Sequence, residues 1–244
     1  MHKLLTIIIP CKNEERYIKH LFFALREQEI GKTQIYLADA NSTDSTRLLA
    51  ENYAFELGLN LKIIGGGLPA KGRNNGARLA KTPYLLFLDA DVTFTHSQAI
   101  EEALDSIHNR AVDMVATTPY YKGEFDIRAW LLFRINRVAA WFLAKTHPFA
   151  IGGFTLVRRD VFNKLGGYDE KATQAEDWLL SKQVSPLRFK LIPDLMTQDN
   201  RRFKKFGYFK MVKLLYKNWI NKTDKSNNKG KRPRDYKQQF AHKA

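Results

Sequence analysis

The chain has a single cysteine, Cys11, so it can form no internal disulfide, and it fits a reducing compartment. It also lacks a long apolar run. Its longest stretch without Asp, Glu, Lys or Arg runs only from Thr146 to Val157. A membrane-crossing helix needs roughly 20 apolar residues, and this stretch also carries Pro148, Gly152 and Gly153. Met1 to Cys11 shows no leader-cleavage pattern, so a cytoplasmic location is expected. Glycine fingerprints are missing too: Gly65-Gly66-Gly67 matches neither a Walker loop nor a dinucleotide-binding turn. His96, His108, His147 and Cys11 show no metal-ligand spacing, and no Ser-His-Asp or Cys-His arrangement can be read. Acids are scarce from Arg201 onward, where Asp224 and Asp235 stand alone against 15 Lys and Arg.

What is present suits one α/β domain with a tail. Hydrophobic residues make up 44% and charged residues 27%, enough for a substantial core. The net charge is +15, of which residues 201–244 carry +13. The body is therefore nearly neutral and should hold the fold and the chemistry. The tail should attract something anionic. The expected division is a domain over residues 1–200 and a basic amphipathic helix with a flexible end over 201–244.

Within the body, strand-like and helix-like segments alternate. Leu4 to Ile9 is a continuous apolar, β-branched run, as in strands buried on both faces of a parallel sheet. Asn13 follows as an N-cap for a helix marked by Ile18, Leu21, Phe22 and Leu25. Further strands are expected at Ile35–Ala38, Leu61–Ile64, Tyr84–Leu88, Val112–Thr117 and Ile151–Val157, with helices between the earlier ones. The alternation predicts a mostly parallel, doubly wound sheet with helices on both faces. Ligands bind such sheets outside the carboxyl ends of the strands, and there stand Asn13, Glu14, Asp39, Asp89 and Asp91. Ile127 to Lys145 is rich in Trp, Phe and Leu. It reads as a core helix with a charged flank, in preference to an interfacial helix on lipid.

Asp89-Ala90-Asp91 is the sharpest candidate. Read as extended chain, it would point both carboxylates the same way, as hard ligands for Mg²⁺ or Mn²⁺. The alternative is a solvated strand end. Asp39 lies too early to cap the following helix, so its carboxylate is free to accept from a nucleobase or ribose; Ser42 and Asp44 are assigned to capping. Lys71-Gly72-Arg73-Asn74 opens a helix, where basic groups suit phosphate oxygens, although an exposed basic loop explains it equally well. Thr173 to Glu176 fits a capping box with Asp177 in the first turn. The functional alternative makes Asp177 a general base, kept ionised by the helix N-terminus.

Taken together, these segments resemble the family 2 glycosyltransferases. The resemblance rests on Ile7-Ile8-Ile9-Pro10-Cys11-Lys12-Asn13-Glu14-Glu15, Asp39-Ala40-Asn41-Ser42-Thr43-Asp44, Arg73-Asn74, Leu88-Asp89-Ala90-Asp91, and Gly166-Gly167-Tyr168-Asp169-Glu170 followed by Glu176-Asp177. They stand in the family's order and cover roughly residues 4–180. The resemblance implies a GT-A fold and inverting transfer of a sugar from a UDP- or GDP-sugar, with Mg²⁺ or Mn²⁺ as cofactor. It implies that Pro10, Cys11, Glu14 and Asp39 contact the nucleoside, and that Arg73 and Asn74 lie near the base or diphosphate. Asp89, with Ala90 beside it, would face the ribose and the metal, and Asp91 would hold the metal. Asp177 would be the base, with Glu176, Gly152 and Gly153 on the acceptor side.

Departures narrow this. The Gln-x-x-Arg-Trp signature and membrane helices of processive synthases are missing, so processive synthesis is not expected. Val92 stands where the family often has another aspartate. The Pro-x-x-Asn-Glu start and Asp-Ala-Asp are shared with members that make polyprenyl-phosphate sugars, so a lipid-linked or glycan acceptor is expected. In the tail, Phe203, Phe206, Phe209, Val212, Leu215 and Trp219 interleave with lysines. This basic amphipathic pattern suggests packing on the body and attraction of residues 203–220 to an anionic membrane, hence a peripheral place on its cytoplasmic face. Two readings compete: a nucleotidyltransferase, disfavoured by the glycine-poor loop after Ile9, and a nucleic-acid binder acting through the tail, disfavoured by the near-neutral body. No nucleic acid is expected as partner.

Overall fold

The structure is a computed structural model. It describes residues 3–198, apart from 109–110, 123–125, 151 and 173–174, together with Gly207. The amphipathic helix and flexible end expected after residue 200 lie outside the described residues.

The chain begins with β1 (Leu5–Cys11), α1 (Glu15–Glu27), β2 (Gln34–Asp39), α2 (Thr46–Glu56), β3 (Asn60–Gly65), α3 (Pro69–Leu79) and β4 (Tyr84–Leu88). It continues through β5 (Thr93–Phe94), α4 (Ala99–His108), β6 (Met114–Tyr121), α5 (Ile127–Ala144), β7 (Phe154–Arg158), α6 (Arg159–Lys164), α7 (Glu176–Ser181) and β8 (Phe189–Gln198). One sheet holds all eight strands in the order β3-β2-β1-β4-β7-β6-β8-β5. The first four pair in parallel, as the alternating pattern predicts. Beyond β4 the sheet turns mixed: β7 runs antiparallel to both β4 and β6, while β6 and β8 are parallel. The expectations did not include α6, β5 or β8.

Burial follows the period-2 pleat. Ile7, Ile9, Leu86 and Leu88 face α1, α2 and α4, with Ile18, Leu21, Phe22 and Leu25 filling that layer. Ile8, Leu85, Phe87 and Val157 face the opposite layer, with Ala70 and Ala77 of α3, Phe162 of α6 and Leu180 of α7. Helix α3 lies very close to the sheet. A Cβ on Gly76 would meet Cγ2 of Ile8 at 2.5 Å, so only glycine permits that approach. This proximity carries Arg73 inward from the same helix.

Several boundaries differ from expectation. The N-cap of α1 is Glu14, because Asn13 takes a positive φ of 54°. Asn13 ties two loops instead: its N–H donates to Ser42 Oγ, and its side-chain oxygen accepts from the Thr43 N–H. Helix α2 is capped at Ser45 rather than Ser42. Helix α3 begins at Pro69, which places Lys71 and Arg73 within it. Helix α7 begins at Glu176 after Ala175, so Glu176 is its first residue and not the third position of a capping box; Thr173 lies outside the described residues. The core reading of Ile127–Lys145 is overturned. Ala129 and Ala140 are buried, while Leu131, Ile135, Val138 and Phe142 are each at least half exposed. Among the described residues no helix is long and apolar enough to cross a membrane.

Candidate active site

The parallel register sets the first half of the site. Cys11 and Asp39 end β1 and β2 side by side. Asp39 is buried and accepts from the Ser42 backbone N–H at 3.2 Å and the Ser42 hydroxyl at 2.5 Å. The Cys11 thiol points its proton at the same carboxylate, at 3.7 Å. Burial, reinforced by Asp39, pushes that thiol far above its usual range, so it stays a neutral donor. Ser42 is therefore a partner of Asp39 and not a helix cap. Asp44 does act at the start of α2, accepting from Thr46, and these bonds hold its carboxyl below the ordinary value even against partial desolvation. Pro10 and Glu14 stand on either side of Cys11 in the chain, Pro10 pairing with Ala38 of β2. Glu14 donates its N–H to Thr46 Oγ1 at 2.7 Å, which ties α1 to α2.

The second half exists because β7 is antiparallel. Its entry therefore lies at the carboxyl end of β4, where Asp89 N–H donates to Gly153 O at 3.3 Å. Gly153 has a φ of 107°, and a Cβ there would crowd the Met196 side chain, so its glycine identity answers to backbone and packing. Gly152 does something different. A Cβ on it would stand 2.7 Å from Asp177 Oδ2 and 4.0 Å from Asp89 Oδ2. The missing side chain lets the Asp177 carboxylate pack directly against the Gly152 backbone, with Asp89 close by.

Arg73 sits beside these carboxylates, 3% exposed. Its guanidinium donates to Asp89 Oδ1 at 2.7 Å and Glu176 Oε1 at 2.6 Å, and lies 3.7 Å from Asp177 Oδ2. Its face stacks 5.2 Å from the Tyr168 ring. The surrounding acids lift its affinity for the proton well above normal despite burial, so it is permanently charged. Asp177 is also buried. Desolvation raises its pKa to about 6, against the lowering pull of Arg73. The helix N-terminus does not hold it at the ordinary value. Tyr168 donates its hydroxyl to Asp177 Oδ1 at 3.1 Å, leaving Oδ2 toward Gly152. Burial keeps that phenol protonated.

These contacts place the expected residues as follows. Asp39, Cys11, Pro10 and Glu14 gather at the ends of β1 and β2. Asp89, Arg73, Glu176, Asp177 and Gly152 gather at the end of β4. Ala90 is buried and Asp91 half-buried beyond β4. Arg73 is an internal ion-pair hub rather than an exposed phosphate ligand. Asn74 is fully engaged elsewhere: its amide brackets Tyr168 through the backbone N–H and C=O, and also reaches Glu170. Tyr168 is the residue that sequence reasoning passed over. Its signal was an aromatic directly after Gly166-Gly167, a turn that pins it under Phe87 and Phe162.

The Asp89-Ala90-Asp91 segment is not extended. Strand β4 stops at Leu88, and Val92 N–H folds back to Asp89 O at 3.4 Å. The two carboxylates therefore share a turn rather than one face of a strand. Among the described residues no cluster of three or more His, Cys, Asp or Glu could hold a metal by itself. Asp89 and Asp91, two hard carboxylates in one turn at the end of β4, nonetheless have the donor chemistry for Mg²⁺ or Mn²⁺, which commonly takes one or two protein carboxylates and completes its shell from phosphate and water.

The profile of glycosyl transferase family 2 matches residues 6–166. The chain is 28% identical over 177 residues to the 4,4'-diaponeurosporenoate glycosyltransferase of Staphylococcus aureus, covering 68% of this chain and 47% of that protein. The chain thus spans about half the length of that curated relative. Among solved structures, it superposes on the mannosyltransferase PcManGT of Pyrobaculum calidifontis in complex with GDP-Man and Mn²⁺, with a TM-score of 0.69 and 19% identity, over 98% of this chain and 68% of that one. It also superposes on S. aureus TarS residues 1–349 in complex with UDP, with a TM-score of 0.61 and 19% identity, over 80% and 60% respectively.

Proposed function

The chain belongs to glycosyl transferase family 2, and from that premise we propose that it transfers a sugar from a UDP- or GDP-sugar to an acceptor hydroxyl, with inversion at the anomeric carbon. The observation that carries this reading is Asp177. It is a buried carboxylate with a pKa raised to about 6, fixed through Oδ1 by Tyr168, with Oδ2 set against the Gly152 backbone and near Arg73. A base works best when its pKa lies near the working pH. Asp177 takes the acceptor proton as the hydroxyl attacks. Arg73 and Tyr168 orient it, and Arg73 compensates its charge once ionised. On the other side of the rim, Asp39 accepts from the nucleoside, with Pro10, Cys11 and Glu14 at the same strand ends. Asp89 and Asp91 would hold Mg²⁺ or Mn²⁺, which supplies charge stabilisation to the departing diphosphate. Glu176 and Gly152 border the acceptor side. The acceptor is a lipid-linked or glycan hydroxyl, and residues 203–220 attract the enzyme to an anionic membrane surface at the cytoplasmic face.

The test is a panel of UDP- and GDP-sugars incubated with Mn²⁺, with released nucleotide and the anomeric configuration of the product read by NMR. A nucleoside diphosphate and an inverted product are expected. Pyrophosphate release would favour nucleotidyl transfer and overturn the reading. In Asp91→Ala, the Mn²⁺-dependent rise in melting temperature with UDP or GDP should vanish; an unchanged rise removes Asp91 from the metal site.

A further inference from the structure

Helix α5 presents an apolar stripe to solvent. Leu131, Ile135, Val138 and Phe142 are spaced by four, three and four residues, and are between 50% and 61% exposed. Such spacing puts them on one side of the helix. Trp141, beside Phe142, is 47% exposed as well. A patch of this kind marks a surface that meets something apolar. The charges within Ile127–Ala144 are Arg128, Arg134 and Arg137, with no acid in the helix. Arg137 pairs with Asp194 of β8. Arg134 lies 5.3 Å from the Trp130 ring, and Lys145 lies 3.5 Å from the Trp141 ring, so cations flank the stripe against aromatic faces.

Charge selects the occupant. A second copy seated on α5 would bring Arg128 and Arg134 against their equivalents with no helix acid between them. The chain's own residues 201–244 carry +13, the same sign. An anionic bilayer matches both features, taking the stripe among its acyl chains and the flanking cations among its headgroups. We propose that α5 is a membrane-docking helix that lies in the headgroup region of an anionic bilayer.

The topology links this surface to the site. Strand β6, which leads into α5, runs parallel to β4, so both end at the same rim. Tyr120 of β6 pairs with Thr197, and Thr197 pairs with Thr93, two residues beyond Asp91. Tyr121 then packs on Phe133 of α5, with ring centroids 5.3 Å apart. Docking through α5 therefore presents the rim to the lipid headgroups, and the acceptor class is a membrane-borne amphiphile with its hydroxyl at headgroup depth. That consequence rests on the transferase reading; the docking itself does not.

The experiment uses the full chain and two vesicle types: phosphatidylcholine alone, and phosphatidylcholine with phosphatidylglycerol at about 3:1. The wild type should sediment with the anionic vesicles and shift its tryptophan emission to the blue. Leu131→Asp/Val138→Asp should lower the partition coefficient at least about tenfold. Both residues are exposed, so the melting temperature and the donor-sugar hydrolysis measured without vesicles should stay unchanged. Arg134→Glu should weaken binding to the anionic vesicles in particular. Wild-type partitioning by the double variant would overturn the proposal. So would a wild-type dimer, seen by light scattering, that the double variant converts to a monomer without vesicle binding. Vesicle binding without any sugar transfer would leave the docking in place and refute the transferase reading.

Discussion

Asp39 and Asp177 are both buried carboxylates on one rim, yet they are held in opposite ways. Asp39 is satisfied by neutral donors, two of them on Ser42, three residues away, and the third on the adjacent strand. Asp177 faces a guanidinium from α3 and a phenol from the Gly166-Gly167 turn, and it shares the guanidinium with Asp89 and Glu176. The first arrangement fixes a loop around a hydrogen-bond acceptor. The second builds a group that titrates near neutrality, with its charge compensated across long distances in the chain. The raised pKa of Asp177, in the second arrangement, is the kind of perturbation that concentrates at functional sites.

Four measurements would sharpen or break that contrast. The largest effect is expected from Asp177→Asn, which should lower kcat/KM about 100- to 10,000-fold while nucleotide-induced thermal shifts persist. Near-normal turnover would show that the base lies elsewhere. The same variant tests linkage. The native fold binds the Asp177 proton more tightly than the unfolded chain does, so this group's contribution to stability is present at low pH. It is lost as pH rises from about 4 to about 6. Asparagine should flatten that part of the stability–pH curve.

Next is Arg73→Met, which leaves Asp89, Glu176 and Asp177 facing one another without their cation. Urea unfolding at pH 8 should show a loss of about 3–5 kcal/mol. The loss should shrink at pH 5, where the acids can take up protons. A loss independent of pH would mean that Arg73 matters for packing alone. A smaller effect is expected from Asp39→Asn: about a tenfold weaker donor KM with kcat little changed. A fall in kcat with KM intact would erase the distinction between the two carboxylates.

The smallest effect belongs to Tyr168→Phe. It removes the hydrogen bond that favours ionised Asp177. The acid limb of the kcat/KM profile, expected near pH 6 in the wild type, should therefore move to higher pH by a fraction of a unit. At pH 8 activity should be almost unaffected. A uniform loss at every pH would assign Tyr168 a purely structural part.

Some of this was legible in the chain and some was not. The run Leu4–Ile9 predicted β1 because continuous β-branched apolar residues suit a strand covered on both faces, and the alternation through Leu88 predicted the parallel order around it. Asp39 and Cys11 stand where that order puts them. The Asp89-Ala90-Asp91 geometry was misread, because an extended chain was assumed through a point where Val92 folds back. The cap of α7 was misread because Ala175 adopts a left-handed conformation that no local residue type announces. Helix α5 was expected in the core because its composition is apolar, but composition does not say whether a partner layer covers it.

The sequence by itself determined the parallel first half, the family's motifs, and the separation of a near-neutral body from a cationic end, since these follow from local periodicity and residue type. Only the tertiary structure decided that Arg73 joins Asp89, Glu176, Asp177 and Tyr168 beside Gly152. That meeting depends on β7 entering the sheet antiparallel and on α3 lying against Ile8, and partners as far apart as Arg73 and Glu176, 103 residues distant, leave no periodic trace in the chain.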